Sequence, residues 1–77
     1  MPRNFPDRIY QQRRDLGDRI RVLRKGLPAT QEKLAEMTGI DRRTLQRIER
    51  GISDPRYSDL LLIAEALDVP LAELVQE

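Results

Sequence analysis

The sequence predicts an all-α fold, a small bundle of five helices, on three observations. Apolar side chains recur every three or four residues in five separate stretches between Ile9 and Val75, the spacing of helices that each bury one face. Glycine, proline and Asx or hydroxyl residues stand between those stretches, where helices stop and start. The chain of 77 residues has one Phe, no Trp and no Cys, so a single core must be assembled from Leu, Ile, Val and Ala, and at this size it supplies only about 3–5 kcal/mol.

Residues 1–13 read as an N-terminal arm that can extend the first helix, and residues 14–77 as the domain. Pro2 and Pro6 mark the arm. From Asp7, the residues Ile9, Leu16, Ile20 and Leu23 share one helical face, and Asp7 or Asp15 can cap it. Gly17 costs this helix about 1 kcal/mol relative to Ala. Gly26-Leu27-Pro28 ends it near Lys25, and the arginines at 8, 13, 14, 19 and 21 are expected to face solvent. Thr30 caps a second helix, Gln31 to Thr38, which turns Leu34, Ala35 and Met37 to the core. Glu32 and Glu36 lie one turn apart, but no His, Cys or third carboxylate joins them, so they read as solvated acids.

Gly39 supplies the left-handed backbone that closes this helix. Ile40 packs inward, and Asp41 caps the next helix from its carboxylate. That third helix runs from Arg42 to Arg50. At about 100° per residue, Leu45 and Ile48 set the inward direction. Arg43, Arg47 and Arg50 then fall opposite, Gln46 lies beside them, Arg42 and Thr44 flank the start, and Glu49 turns back toward the core. Two short helices around a glycine turn, the second with an arginine ridge, form a helix-turn-helix. Arginine's planar fork matches phosphate oxygens and the O6/N7 edge of guanine. A row of like charges one turn apart weakens an isolated helix, which points to an anion that relieves it.

Gly51 closes the third helix. A loop with a turn at Asp54-Pro55 leads to Ser58, the expected cap of a fourth helix from Asp59 to Leu67. That helix reads as apolar nearly all round and central, with Tyr57 folded in beside it. Asp68-Val69-Pro70 breaks it, and Leu71, Leu74 and Val75 form the stripe of a short last helix.

The formal net charge of +1 conceals a polar distribution of charge: residues 1–56 hold all 14 basic side chains and 8 acidic ones, whereas residues 57–77 hold 5 acidic and no basic ones. One end suits a polyanion and the other does not. The chain has no His or Cys, which removes the commonest acid–base group, thiolate chemistry and thiolate metal ligands. No nucleophile, base and orienting group converge, so an enzyme is the poorest reading, and no metal or cofactor is expected. No apolar run approaches the roughly 20 residues that cross a bilayer, and no leader is recognisable; the expected location is the cytoplasm, on the nucleoid.

Leu16-Gly17-Asp18-Arg19-Ile20, Gln31-Glu32-Lys33-Leu34-Ala35, Gly39-Ile40, Ile48-Glu49-Arg50-Gly51 and Leu67-Asp68-Val69 closely resemble the phage-repressor and Cro family of helix-turn-helix domains, also called XRE-like. The resemblance covers about residues 16–75 and implies a lambda-repressor-like bundle of five helices in which helices 2 and 3 read double-stranded DNA, usually as a homodimer. It implies that Gln31 holds a phosphate at the start of helix 2. It places Arg42, Arg43 and Arg47 on base-reading positions, Thr44 on a backbone-contacting one, and Arg50 and Arg56 on phosphates. It also pairs Arg24 with Glu49 in a buried salt bridge that orients the reader. Two positions depart from the family pattern: Thr38 stands where an apolar residue is usual, which should loosen the core slightly, and Pro70 where a serine cap is common.

The expected function is therefore a sequence-specific regulator of transcription that acts on G·C-containing half-sites. Its dimer seam would be the last helix, and it would form or tighten on DNA. Small XRE-like chains also serve as antitoxins, so the alternative is a protein-interaction module that binds a toxin and autoregulates its own operon; a protein partner would be that toxin or the transcription machinery. A restriction–modification controller is a further form of the DNA-binding reading.

Overall fold

Five helices follow one another in the computed structural model, which describes residues 4–75: α1 Asp7–Gly26, α2 Gln31–Thr38, α3 Arg42–Arg50, α4 Tyr57–Leu67 and α5 Leu71–Leu74. No strand occurs among the described residues. The ends of the expected arm and of the chain, residues 1–3 and 76–77, lie outside them. Residues 7–13 belong to α1, which begins after Pro6 with no side-chain cap. Neither Asp7 nor Asp15 caps it: Asp7 is the first helical residue, and Asp15 accepts from Gln11 Nε2 at 2.9 Å inside the helix.

The core is Ile20, Leu34, Ile40, Leu45, Ile48, Ile63, Ala64, Leu67 and Leu74, flanked by half-buried Leu16, Leu23, Ala35, Ala66, Val69 and Leu71. Every helix contributes a fully buried large apolar side chain: Ile20 from α1, Leu34 from α2, Leu45 and Ile48 from α3, Ile63 from α4 and Leu74 from α5. α1 crosses the C-terminal end of α3, and Gly17 is the residue at the crossing. A Cβ there would lie 2.5 Å from the Ile48 carbonyl oxygen and 2.4 Å from that of Glu49. Gly17 is thus a contact residue, and its cost in helix propensity is offset by closeness of packing that no other residue permits. At the other edge of α1, Arg19 Nη1 donates to the Leu74 carbonyl at 3.0 Å and ties α5 down.

Several side chains depart from the sequence expectation. Met37 is 46% exposed, Tyr57 67% exposed, and Leu61 and Leu62 43% and 41% exposed. α4 is therefore not a central helix buried all round; it buries Asp59, Ile63, Ala64 and Leu67 and leaves two leucines outside. Ser58 does not cap it. The helix starts two residues earlier, with Arg56 at the cap position, whose backbone N–H donates to the carboxylate of Asp59 at 3.3 Å. Asp68 ends α4 in the left-handed region at φ 58°, a conformation that aspartate tolerates better than most residues. Pro70 occupies the cap position of α5 and offers no side-chain bond. Two of the five α1 arginines expected in solvent are held instead: Arg19 by Leu74, and Arg13 by Asp54, Nε to Oδ1 3.5 Å.

Candidate nucleic-acid interface

The turn between α2 and α3 is locked by local hydrogen bonds. Thr30 Oγ1 accepts from Lys33 N at 3.0 Å to start α2. Gly39 ends it at φ 74°, its N–H bonded to the Ala35 carbonyl. Thr38 is buried, and its hydroxyl donates to the Leu34 carbonyl at 2.8 Å while accepting from Ile40 N at 3.1 Å. The threonine expected to loosen the core is thus a latch that satisfies two backbone groups inside the turn. Asp41 Oδ2 then accepts from Arg43 N and Thr44 N at 3.0 and 3.4 Å. Two amides in the first turn of α3 are thereby paired, which caps the helix directly after the turn.

At its far end α3 stops at Gly51, φ 72°. Leu45, Ile48 and Glu49 are its buried residues. Arg42, Arg43, Thr44, Arg47 and Arg50 are exposed and Gln46 is half-buried, as the helical wheel places them. Arg43, Arg47 and Arg50 form no salt bridge among the described residues. The ridge is therefore three uncompensated guanidinium groups on a helix whose other face is fixed in the core. Arg42 differs. Its Nη1 lies 3.0 Å from Glu32 Oε1 across the turn, so an acid read from sequence as merely solvated holds the first arginine of the helix.

Behind the ridge, Arg24 and Glu49 make the buried pair. Arg24 Nε donates to Glu49 Oε2 at 2.8 Å and Nη2 to Oε1 at 2.9 Å, and Nη1 donates to the Ala29 carbonyl at 2.9 Å. The hydrogen bonds to Glu49 hold the guanidinium above its ordinary value, reinforced by the carboxylate's charge and opposed by burial. Two parallel charge-assisted bonds fix orientation as well as distance, so the pair sets the direction in which α3 leaves α1. Gln31, the first residue of α2, donates Nε2 to Glu49 Oε1 at 3.2 Å. One carboxylate thereby gathers α1, α2 and α3. Beside it, a shallow depression of about 370 Å³ is lined by Arg24, Thr30, Gln31, Glu32 and Arg42, at the positive end of α2's dipole.

Arg56 sits at the start of α4, and its guanidinium folds back on the buried carboxylate of Asp59, Nε to Oδ2 3.3 Å and Nη2 to Oδ1 3.4 Å. It is a compensated cation rather than a free one. Of the residues singled out from sequence, Gln31, Thr44, Gln46, Arg43, Arg47 and Arg50 lie on or beside the exposed side of α2–α3, and Arg24 and Glu49 behind it. Sequence reasoning did not find the contact role of Gly17, the Thr38 latch, or the Arg42–Glu32 and Arg13–Asp54 pairs. The only signal for the last two was a charge of opposite sign at long separation. Among the described residues no helix is long and apolar enough to cross a membrane.

Comparison with known proteins agrees with this geometry. The Helix-turn-helix family HTH_3 matches residues 19–74. The immunity repressor protein of Bacillus phage phi105 is 37% identical over 62 residues; the match covers 80% of this chain and 43% of the repressor, so the chain spans less than half of that protein's length. The restriction-modification controller protein C.AhdI of Aeromonas hydrophila superposes with a TM-score of 0.82 at 35% identity, covering 84% of this chain and 98% of that one. A hypothetical transcription factor, NHTF, from Neisseria gives a TM-score of 0.81 at 30% identity over 99% of this chain and 86% of that one. An HTH_3 family transcriptional regulator from Vibrio cholerae gives 0.80 at 26%, over 86% of this chain and 37% of that one. With its glycine-locked turn, arginine ridge and buried Arg24–Glu49 clasp, the chain belongs to the HTH_3 helix-turn-helix family of DNA-binding transcriptional regulators, the group of phage repressors and Cro.

Proposed function

We propose that this protein regulates transcription by occupying a specific duplex site, with α3 laid in the major groove and no chemistry performed on the DNA. The observation that carries this reading is the exposed row Arg43, Arg47 and Arg50, free of acidic partners among the described residues. Arg43 and Arg47 read bases, with Gln46 beside them. Arg50 and Thr44 meet phosphates, and Gln31 seats a phosphate at the start of α2 while its other contact with Glu49 keeps it oriented. Arg42 joins the base readers when a nearby guanine or phosphate competes for it with Glu32. Arg56 reaches the backbone while still covering Asp59. A preference for G·C-containing half-sites follows from the arginines.

Two copies read two half-sites about 34 Å apart, one turn of the duplex. Leu61 and Leu62 on α4 and Val75 just after α5 remain exposed, and such side chains suit a seam between copies that closes on DNA. The match over 98% of C.AhdI favours one form of this reading, a controller acting at the promoter of a restriction–modification system. Selection of bound duplexes from a random pool tests the whole. A twofold-symmetric, G·C-containing motif with that spacing is expected, and a pool that never departs from random would end the proposal. Equilibrium sedimentation with and without the selected duplex then reports the dimer.

A further inference from the structure

We propose that the first turns of α1 carry a second DNA-contacting strip, Arg8, Gln11 and Arg14, which grips the phosphate backbone beside the C-terminal end of the reader. The inference rests on the DNA-binding reading above and extends its footprint. It lies before residue 19, where the HTH_3 match begins. The key relationship is between Arg14 and Gly51. A Cβ on Gly51 would come within 2.6 Å of the Arg14 Cα, so the backbone of Arg14 lies against the residue that ends α3. Arg14 thus packs against the residue that directly follows Arg50, at the end of the reader where its guanidinium row stops.

The fates of the α1 arginines separate structural cations from available ones. Arg13 pairs with Asp54, Arg19 donates to the Leu74 carbonyl, Arg21 pairs with Asp18 and Arg24 with Glu49. Arg14 bonds only a neutral group, Nη2 to Gln11 Oε1 at 2.9 Å. Arg8 is exposed and, among the described residues, its side chain makes no hydrogen bond or ion pair. Arg8, Gln11 and Arg14 line one shallow groove with Asp7 and Tyr10. Two acids lie close, Asp7 in that groove and Asp15, which accepts from Gln11 Nε2. From Arg8 to Arg14 the helix rises roughly 9 Å, against about 3.4 Å of axial rise per phosphate on one strand, so the two arginines can serve separate phosphates.

The strip is also held still. Arg13 spans from α1 to Asp54 in the loop after α3, and its guanidinium lies 5.3 Å from the centre of the Tyr10 ring. Tyr10 in turn accepts from Phe5 N at 3.3 Å and meets the Phe5 ring edge-on at 5.8 Å. These contacts pin the extension to the loop that follows the reader, which fixes Arg14 relative to Arg50.

The test is a titration of the full chain against mixed-sequence duplex DNA over a salt series, for the parent, R8Q/R14Q, R14K and, as a reader control, R43A. Each phosphate contact contributes about 0.9 to the slope of log affinity against log salt. R8Q/R14Q is expected to lower that slope by about 1.8 and to weaken binding roughly ten-fold or more near 0.1 M salt. It should leave the motif selected from a random pool unchanged. R14K should keep the parent's slope. If R8Q/R14Q keeps the parent's slope and affinity while R43A weakens binding, the strip is wrong and the reader stands. A lower melting temperature with an unchanged slope also overturns it, since the two arginines would then serve the fold alone. If the parent ignores every duplex at low salt, the DNA reading fails first and takes the strip with it.

Discussion

Gly17 on α1 lies so close to the carbonyl oxygen of Glu49 on α3 that a Cβ at that position would come within 2.4 Å of it. The oxygen is backbone and cannot swing aside, so the approach of these two helices is set by a missing methyl group. Gly17→Ala gains about 1 kcal/mol of helix propensity, and overpacking of this kind costs about 1–3 kcal/mol and sometimes more. A net loss of about 1–2 kcal/mol is expected, because the clash is with backbone, and is seen as a melting temperature lower by roughly 5–10 °C. A variant that melts at or above the parent would show that the crossing can open without cost.

Arg24 and Glu49 cannot be separated singly. Arg24→Met leaves a buried carboxylate without its cation, and the expected loss is about 3–5 kcal/mol, enough to unfold much of so small a domain. The double variant R24M/E49L should recover most of that stability, because an apolar pair of similar volume carries no desolvation cost. It should still bind its site more weakly than the parent, since the reader's orienting bonds are gone. Because the folded guanidinium is held above its ordinary value, the stability that it contributes is fully present below the unfolded value. It is lost only as pH rises through the folded value, far into alkali. Melting temperatures near neutrality should therefore show no titration attributable to Arg24.

Thr38→Val brings position 38 closer to the apolar residue usual in the family, yet it should destabilise. It removes the acceptor of the Ile40 N–H inside the turn, and a buried donor left unsatisfied costs about 1–3 kcal/mol. Chemical denaturation of the two proteins measures it; equal stabilities would mean that water replaces the hydroxyl.

On the reader, Arg43→Ala or Arg47→Ala should each cost about 1–3 kcal/mol of binding and relax preference at one base position. A uniform loss across all sequences would reassign the residue to phosphate. Glu32→Gln should act the other way, releasing Arg42 and removing an exposed acid. About a two- to five-fold tightening is expected, the scale of a surface ion pair, read by titration of the same duplex.

The frame of the site was legible because its signals are local. Gly39, Asp41 and Gly51 announce their conformations by residue type, and Leu45 and Ile48 set a direction from which the inward turn of Glu49 follows by angle. What was not legible depends on distant partners or on how much neighbour a face finds. Gly17 reads as a weak helix residue until α3 is placed against it. Glu32 reads as solvated because Arg42 is ten residues away and across a turn. Leu61 and Leu62 look like core by composition, but a bundle this small covers only one side of α4. Arg56 took the cap position expected of Ser58 because Asp59, three residues on, could reach back to its backbone N–H.

Gly39 and Gly51, both left-handed, bracket the reader like bookends, and the interval between them is rigid in length. New sequence preferences can arise by exchanging the outward letters at positions 42, 43, 46 and 47 while the frame stays as it is. An inserted residue has no such freedom: it would rotate everything after it by about 100°, swinging Glu49 away from Arg24. Lineages built on this scaffold are therefore expected to diversify in this helix by substitution alone.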